Sequence, residues 1–263
     1  MYKFEKIILK MFRLFSFSII FFTIFSSCVS KKQILYFQDI NSTDINKIRS
    51  FSNILQENDI LKIDVTSIET KASIPYNKSP NQLNMSNSID LMMLNGYLVS
   101  KNKTINFPIL GEISVEGKTI QNLENDLKKL LKSGGHLLKP NVTIRLLNAK
   151  VTILGQVKNP GTFTFTERKI SLLQAIGLAG DLTIDGNRKE IIVIRELNGQ
   201  RTTKIIDLTT SGWLSSPYQN IHPNDVIIVN PNSKIVKSAG IVGNLTNVLS
   251  IASILLSTII LIR

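Results

Sequence analysis

The chain has 263 residues, a formal charge of +12, 43% hydrophobic residues and one cysteine. That content can bury one or two domain cores, and a lone cysteine excludes an intrachain disulfide and a multi-thiolate metal site. The Lys and Arg residues are scattered, with no zinc-finger, RNA-binding or basic-helix pattern, so a nucleic-acid partner is not expected.

Lys3, Lys6, Lys10 and Arg13 precede the apolar run from Leu14 to Phe25, which ends in Ser26, Ser27 and Cys28. A basic region, a short apolar region and small residues have the layout of a secretory signal peptide over residues 1–27. The apolar run is too short for a comfortable membrane span. A cysteine at this point resembles a bacterial lipobox, with Phe25 in place of the usual Leu. That resemblance implies cleavage before Cys28 and lipid attachment to it, leaving a lipid-anchored N-terminus. The mature chain then carries 27 basic and 18 acidic residues, or +9. Such an excess suits acidic glycans or lipid phosphates, or a solvated, nonspecific surface.

Residues 28–47 are polar with a few apolar anchors, and a tether lying over the first domain is expected. Leu61, Ile63 and Val65 alternate with Lys62, Asp64 and Thr66, which predicts a half-buried strand from Ile60 to Ser67. Residues 75–90 are rich in Asn, Ser and Pro and predict a mobile surface loop. Strands follow at Tyr97 to Ser100, Thr104 to Leu110 and Gly111 to Gly117. Thr119 is a plausible cap for a helix whose Ile120, Leu123, Leu127, Leu130 and Leu131 recur at three and four residues. Gly134 and Gly135 stop it. After Pro140 a strand runs from Val142 to Asn148.

A second unit opens with a strand from Lys150 to Gly155, turned by residues 156–161 into a strand at Thr162. Ser171 and Gln174 have capping-box spacing before a short helix carrying Leu172, Leu173, Ile176 and Ala179. Strands from Glu190 and Lys204 flank the hairpin dipeptide Asn198-Gly199. A strand from Asp225 to Asn230 closes the unit. Each unit thus reads as strands around one helix, an α+β layer.

No charged residue lies between Lys237 and Arg263. At ~1.5 Å per residue this stretch reaches ~37 Å as a helix, enough for a ~30 Å hydrocarbon layer. Gly240, Gly243, Asn244, Asn247, Ser250, Ser253 and Ser257 fall within one half of the helical wheel, opposite an aliphatic half. A membrane helix with lipid on one side and water or sister helices on the other is expected over residues 238–262. A simple anchor whose hydroxyls bond back to their own helix is the other reading.

Catalytic patterns are absent: there is no Gly-x-Ser-x-Gly, phosphate-binding Gly loop or His-Glu metal spacing. His136 and His222 sit in turns and are expected at the surface. Asp59 and Asp64 flank or occupy a strand and are expected to be solvated. Trp213, Tyr218 and Phe163 are candidate sugar contacts, with packing the favoured role for each. Neither an enzyme nor a cofactor is expected.

The stretches LQENDILKIDV from Leu55, GYLVSKNKTINFPILGEISVEGKT from Gly96, PNVTIRLLNAKVTILGQVKNPGTF from Pro140, SLLQAIGLAGDLT from Ser171 and PNDVIIVN from Pro223 occur in one order. In that order they resemble the outer-membrane polysaccharide export family. The resemblance implies an export domain over 48–148 and an SLBB β-grasp domain over 149–233. Its motif turns fall on Asn58, Asp59, Gly111, Gly155, Pro160, Gly161, Gly180, Asp181 and Asp225. Asn58 and Asn224 replace the Gly often found before Asp, and Asn tolerates positive φ. The resemblance further implies a lipid-anchored outer-membrane homo-oligomeric ring with a periplasmic body, its C-terminal helices lining a pore. A polysaccharide substrate and an inner-membrane polysaccharide co-polymerase/tyrosine autokinase are the implied partners. The alternative is a periplasmic glycan-binding or scaffold lipoprotein with a passive C-terminal anchor.

Overall fold

The computed structural model describes residues 34–40, 53–78, 89–197 and 199–233, with 249–251, 253–254 and 257–258 near the C-terminus. The calls on Cys28, Gly240, Gly243, Asn244 and Asn247 lie outside the described residues.

The first domain grows from strand β1, Ile60–Thr66, which turns Leu61, Ile63 and Val65 into the core. Two short helices follow, α1 at Thr70–Ser73 and α2 at Ile89–Leu94, then β2 at Tyr97–Leu98. β3, Thr104–Phe107, and β4, Gly111–Ser114, form a hairpin. Helix α3, Ile120–Ser133, is capped by the Thr119 hydroxyl, which accepts from Asn122 N, and buries Leu123, Leu127 and Leu131 completely. Strand β5, Asn141–Leu146, returns antiparallel to β1 and completes a sheet in the order β2-β1-β5. One amphipathic helix packed on this sheet gives the domain its core.

The Asn- and Ser-rich stretch after this strand departs from the expected loop at its near end. Tyr76 is buried in the core. The Asn77 side chain accepts from Val65 N and donates to Val65 O, both at 2.8 Å, and so stands in for a neighbouring strand beside β1. An amide side chain carries the same donor and acceptor as a peptide, so a polar composition alone did not signal looseness. Residues 79–88 lie outside the described residues.

The second domain contains β6, Lys150–Gly155, β7, Gly161–Thr164, and β8, Ile170–Ser171, followed by helix α4, Leu172–Leu178. A reciprocal capping box between Ser171 and Gln174 starts α4, and its Leu172, Ala175 and Ile176 are buried. Then come β9, Gly186–Leu197, β10, Gln200–Ile206, β11, Asn220–Ile221, and β12, Val226–Pro231. The main sheet has the order β10-β9-β12-β6-β7, with β12 parallel to β6 and the other neighbours antiparallel. β6 and β12 approach closely at Gly155, where φ is +90° and a Cβ would lie 2.1 Å from Val229 O. Only glycine fits there.

Residues 34–40 correct the expected position of the tether: they lie on the second domain, not the first. Phe37 N donates to Leu208 O at 3.1 Å and Gln38 N to Thr209 O at 2.7 Å. Phe37 stacks on Trp213 at 5.9 Å, and Tyr36 and Phe37 pack on the second core. Two aromatic side chains need an apolar host, and the second domain supplies one through Trp213.

The α+β reading with a C-terminal membrane helix is also corrected. The described residues form strand-rich domains with few helices, and none of those helices is long and apolar enough to cross a membrane. α3 has 14 residues and carries charge along its length. The described C-terminal positions lie between Leu249 and Thr258 and are helical. Ser253 Oγ and Ser257 Oγ donate to Leu249 O and Ser253 O at 2.7 and 2.8 Å, so these hydroxyls of the expected stripe bond back to their own backbone. Ser250 is helical and exposed.

Candidate functional site: the cleft between the two domains

The domains meet at Leu147, Asn148 and Ala149. Asn148 Oδ1 accepts from Ile60 N at 2.9 Å and its Nδ2 donates to Asn58 O at 2.8 Å, which ties the crossing peptide to the first domain. On the other side, Ala149 O accepts from Phe165 N at 3.0 Å and Lys150 O from Asn224 N at 2.7 Å. A second link bridges the domains farther out. Arg168 Nη2 lies 2.7 Å from Glu124 Oε1 on α3, and the same oxygen accepts from Ile144 N at 2.9 Å.

Between these links lies a cleft of about 60 Å³. Leu55, Leu146, Ala149 and Phe165 give it an apolar floor, and Gln56, Gln121, Arg145 and Lys169 line it with polar groups. Asp59 reaches it from the first domain and His222 from the second.

Both of these groups are buried, contrary to expectation. Asp59 Oδ2 accepts from Gln56 N at 2.8 Å, closing the turn that enters β1. Burial pushes its carboxyl up to about 6, against the pull of the Gln56 N–H and the Lys103 ammonium. Burial, aided by the Arg195 guanidinium, pushes His222 down to about 4, so this imidazole is neutral at pH 7. Residue type and turn context predicted exposure for both; packing around the cleft they line buries them instead.

Behind His222 the turn is held by a buried ion pair. Arg195 donates from Nε to Asp225 Oδ1 at 3.0 Å and from Nη2 to Asp225 Oδ2 at 2.8 Å, and His222 N adds a bond to Oδ2 at 2.9 Å. Burial raises the Asp225 carboxyl while Arg195 and the His222 N–H hold it down. Arg195 Nη2 also donates to Asn220 O at 2.9 Å, and the guanidinium stacks 4.7 Å from the Tyr218 ring. Sequence reasoning missed this residue, although its signal was present. Ile191 and Val193 face inward, so Arg195 shares their parity in the strand, and an inward charge requires a partner.

Comparison with known proteins places these two units. A family model for polysaccharide biosynthesis/export protein matches residues 51–147, and one for the SLBB domain matches residues 150–205. The chain belongs to the polysaccharide export family. It is similar to the EPS I polysaccharide export outer membrane protein EpsA of Ralstonia nicotianae, with 31% identity over 107 residues. The match covers 39% of this chain and 27% of that relative. The protein of the same name from Ralstonia solanacearum is 30% identical over 105 residues, covering 38% of this chain and 27% of the relative. The chain therefore aligns with about a quarter of the length of these curated relatives. The crossing residues Asn148 and Ala149 fall between the two family matches.

Among the motif-turn residues of the export domain, Asn58 has φ +68° and precedes the cleft-lining Asp59. Gly111, at φ +76°, ends the β3–β4 turn and is not part of the cleft. In the SLBB domain, Asp225 holds the turn from which His222, Pro223 and Asn224 line the cleft. Asn224 has φ +67°. Gly155, Pro160, Gly161, Gly180 and Asp181 lie outside the cleft. Pro160 and Gly161 lead into β7, and the preceding Lys158 and Asn159 N–H groups bond to Asp181 O and Ala179 O at the end of α4. Asp181 Oδ1 accepts the Tyr36 hydroxyl at 2.6 Å, joining the tether to the same turn.

The other candidates settle as packing or surface groups. His136 is exposed, its ring centroid 5.9 Å from that of Tyr76 in an edge-on arrangement. Asp64 pairs with Lys62 at 3.1 Å, both half exposed. Trp213 is buried, and Phe163 and Tyr218 are half-buried against the second core. No group of three or more potential metal ligands occurs among the described residues.

Proposed function

We propose that this chain is a noncatalytic outer-membrane export protein for capsular or extracellular polysaccharide. The observation that carries the reading is the export domain followed directly by an SLBB domain, joined through the Asn148 and Ala149 crossing. Copies of the chain assemble as a homo-oligomeric ring, and the polymer passes along it. Cys28 carries the lipid that holds the mature N-terminus at the outer membrane, and the two domains form the periplasmic body. An inner-membrane polysaccharide co-polymerase/tyrosine autokinase is the partner that delivers the chain. Two fixed links between the domains suit a ring subunit, because a ring closes only if each copy holds one shape.

Deleting the gene and restoring it on a plasmid tests the reading. Loss of surface polymer with intracellular or periplasmic accumulation, reversed by the wild-type copy, is the expected result. Outer-membrane fractionation and a detergent-extracted species several times the monomer mass are expected with it. Unchanged surface polymer in the deletion strain, or a monomer in the inner membrane, overturns it.

A further inference from the structure

We propose that residues 34–40 plug a sugar subsite on the SLBB domain, where Trp213, Arg188 and Asp181 take one pyranose unit of the exported polymer once the tether lifts. This rests on the export reading and gives it a point of contact with the polymer.

The groups that the tether presents to the domain carry the inference. Phe37 lays its ring on Trp213, with centroids 5.9 Å apart and 20° between planes. Tyr36 sets its ring 5.5 Å from the Arg188 guanidinium and donates its hydroxyl to Asp181 Oδ1 at 2.6 Å. Burial, then the Asp181 carboxylate, pushes that hydroxyl's ionisation up, so it remains a donor. A ring on an indole and a hydroxyl on a carboxylate are also what a pyranose offers. Its C–H groups meet the negative face of the indole, and its hydroxyls donate to a carboxylate.

The tether fits this surface incompletely. Trp213 Nε1 and Arg188 Nε are buried donors without a hydrogen-bond partner among the described residues. Arg188 is held by its Nη1, which donates to the carbonyls of Gly186 and Thr183 at 3.0 and 3.3 Å. Buried donors are seldom left unpaired in a native structure. The two tether rings bring one phenol oxygen between them, whereas a sugar unit carries ring and hydroxyl oxygens on every side. A sugar thus supplies the acceptors that the peptide lacks.

The hold is also light enough to exchange. Leu35 and Ile40 are exposed, so Tyr36 and Phe37 provide the apolar grip. Polar contacts add the Phe37 and Gln38 N–H bonds to Leu208 O and Thr209 O and a 3.2 Å bond from Ser211 Oγ to Asp39. Phe37 is strained at φ +49° while it is seated. Lifting the segment frees Leu208 O and Thr209 O as two further acceptors for sugar hydroxyls. A plug and a sugar that exchange on one surface hold a unit of the polymer briefly and let it move on.

The single tryptophan makes this exchange readable in the full-length protein in detergent. The probe is a set of oligosaccharides released by mild acid from the producing strain's own surface polymer, with polyethylene glycol of equal mass as the control. A tether seated in about nine copies of ten lowers the apparent affinity about tenfold. Phe37→Ala is therefore expected to bind the oligosaccharides at least about tenfold more tightly than wild type, with Trp213 emission moving to the blue as they bind. In the wild-type protein, saturating oligosaccharide should open residues 34–40 to chymotrypsin. Adding Asp181→Asn to Phe37→Ala keeps an acceptor for the Leu182 N–H and should weaken binding about fivefold at unchanged melting temperature. Equal affinity in wild type and Phe37→Ala, a tether still protected at saturation, or unchanged affinity in the Asp181→Asn variant overturns the plugged subsite. So does equal binding of polyethylene glycol, or no binding by Phe37→Ala. If deletion abolishes export yet Phe37→Ala binds no oligosaccharide, the subsite falls and the export reading stands. If deletion leaves export intact, the export reading falls.

Discussion

Asp59 and His222 face one cleft from opposite domains, and burial displaces their ionisation in opposite directions. Asp59 rises from 3.8 to about 6, and His222 falls from 6.5 to about 4. In the folded state Asp59 holds a proton that the unfolded chain has released between about pH 4 and 6. Its contribution to stability is therefore present at low pH and is lost as pH rises through 6. His222 does the reverse: the unfolded chain is protonated between about pH 4 and 6.5 while the folded chain is not, so stability is lost as pH falls. Each effect is of order 3 kcal/mol.

The two slopes overlap, so the wild-type stability is expected to be nearly level between pH 4 and 6. Asp59→Asn keeps an acceptor for the Gln56 N–H and removes one slope, leaving stability that rises with pH over this window. His222→Gln leaves the opposite trend. Urea unfolding at pH 4, 5 and 6 measures all three proteins. Parallel profiles for wild type and Asp59→Asn would show that the two groups do not compensate each other.

The Arg195 and Asp225 pair is buried on both sides, with side-chain exposures of 5% and 1%. Removing one partner leaves a buried charge, a loss of about 3–5 kcal/mol. Asp225→Ala also strips the acceptor from His222 N. The double replacement Arg195→Met/Asp225→Leu should cost less than Asp225→Ala, because no orphan charge remains. Denaturant midpoints decide between them, and equal costs would place the loss in the His222 turn and not in the charge.

Glu124 and Arg168 form an asymmetric clamp. Arg168 is 44% exposed and Glu124 only 13%, so the ion pair itself is worth under about 1 kcal/mol after screening. The Glu124 carboxylate also satisfies the N–H of Ile144, a fully buried residue. Glu124→Ala is expected to cost about 1–3 kcal/mol through that unsatisfied donor, and Arg168→Ala under about 1. Equal losses in thermal unfolding would contradict this division.

The local elements were legible where one strand or helix decides them. Leu61, Ile63 and Val65 alternate because β1 has one core face, and the Ser171 and Gln174 spacing marks the start of α4 within a single turn. Relations across the chain were not. Tyr36 meets Asp181, 145 positions away, and no local pattern distinguishes that partner from any other carboxylate. The cleft was hidden for the same reason: Asp59 and His222 each look like turn residues, and only packing around the cleft they line buries them. The C-terminal stretch shows the opposite limit, since its aliphatic composition supplied reach for a span but could not establish a spanning helix.

Trp213 is the single tryptophan, and the tether covers it. Phe37 stacks on its ring at 5.9 Å with 20° between planes, and Phe37 N bonds to Leu208 O. Phe37 itself sits at φ +49°, a left-handed conformation that costs about 1–3 kcal/mol in a residue with a side chain and persists only where contacts hold it. Phe37→Ala removes the stacking partner and with it the main reason for that backbone. The tether should then release, exposing Trp213 and red-shifting its emission, while the second core remains folded. Tyr36→Phe deletes only the hydroxyl bond to Asp181 and should leave the emission near that of wild type. A Phe37→Ala emission spectrum identical to wild type, with protease access to residues 34–40 also unchanged, would show that the tether is held by its backbone bonds and not by the aromatic pair.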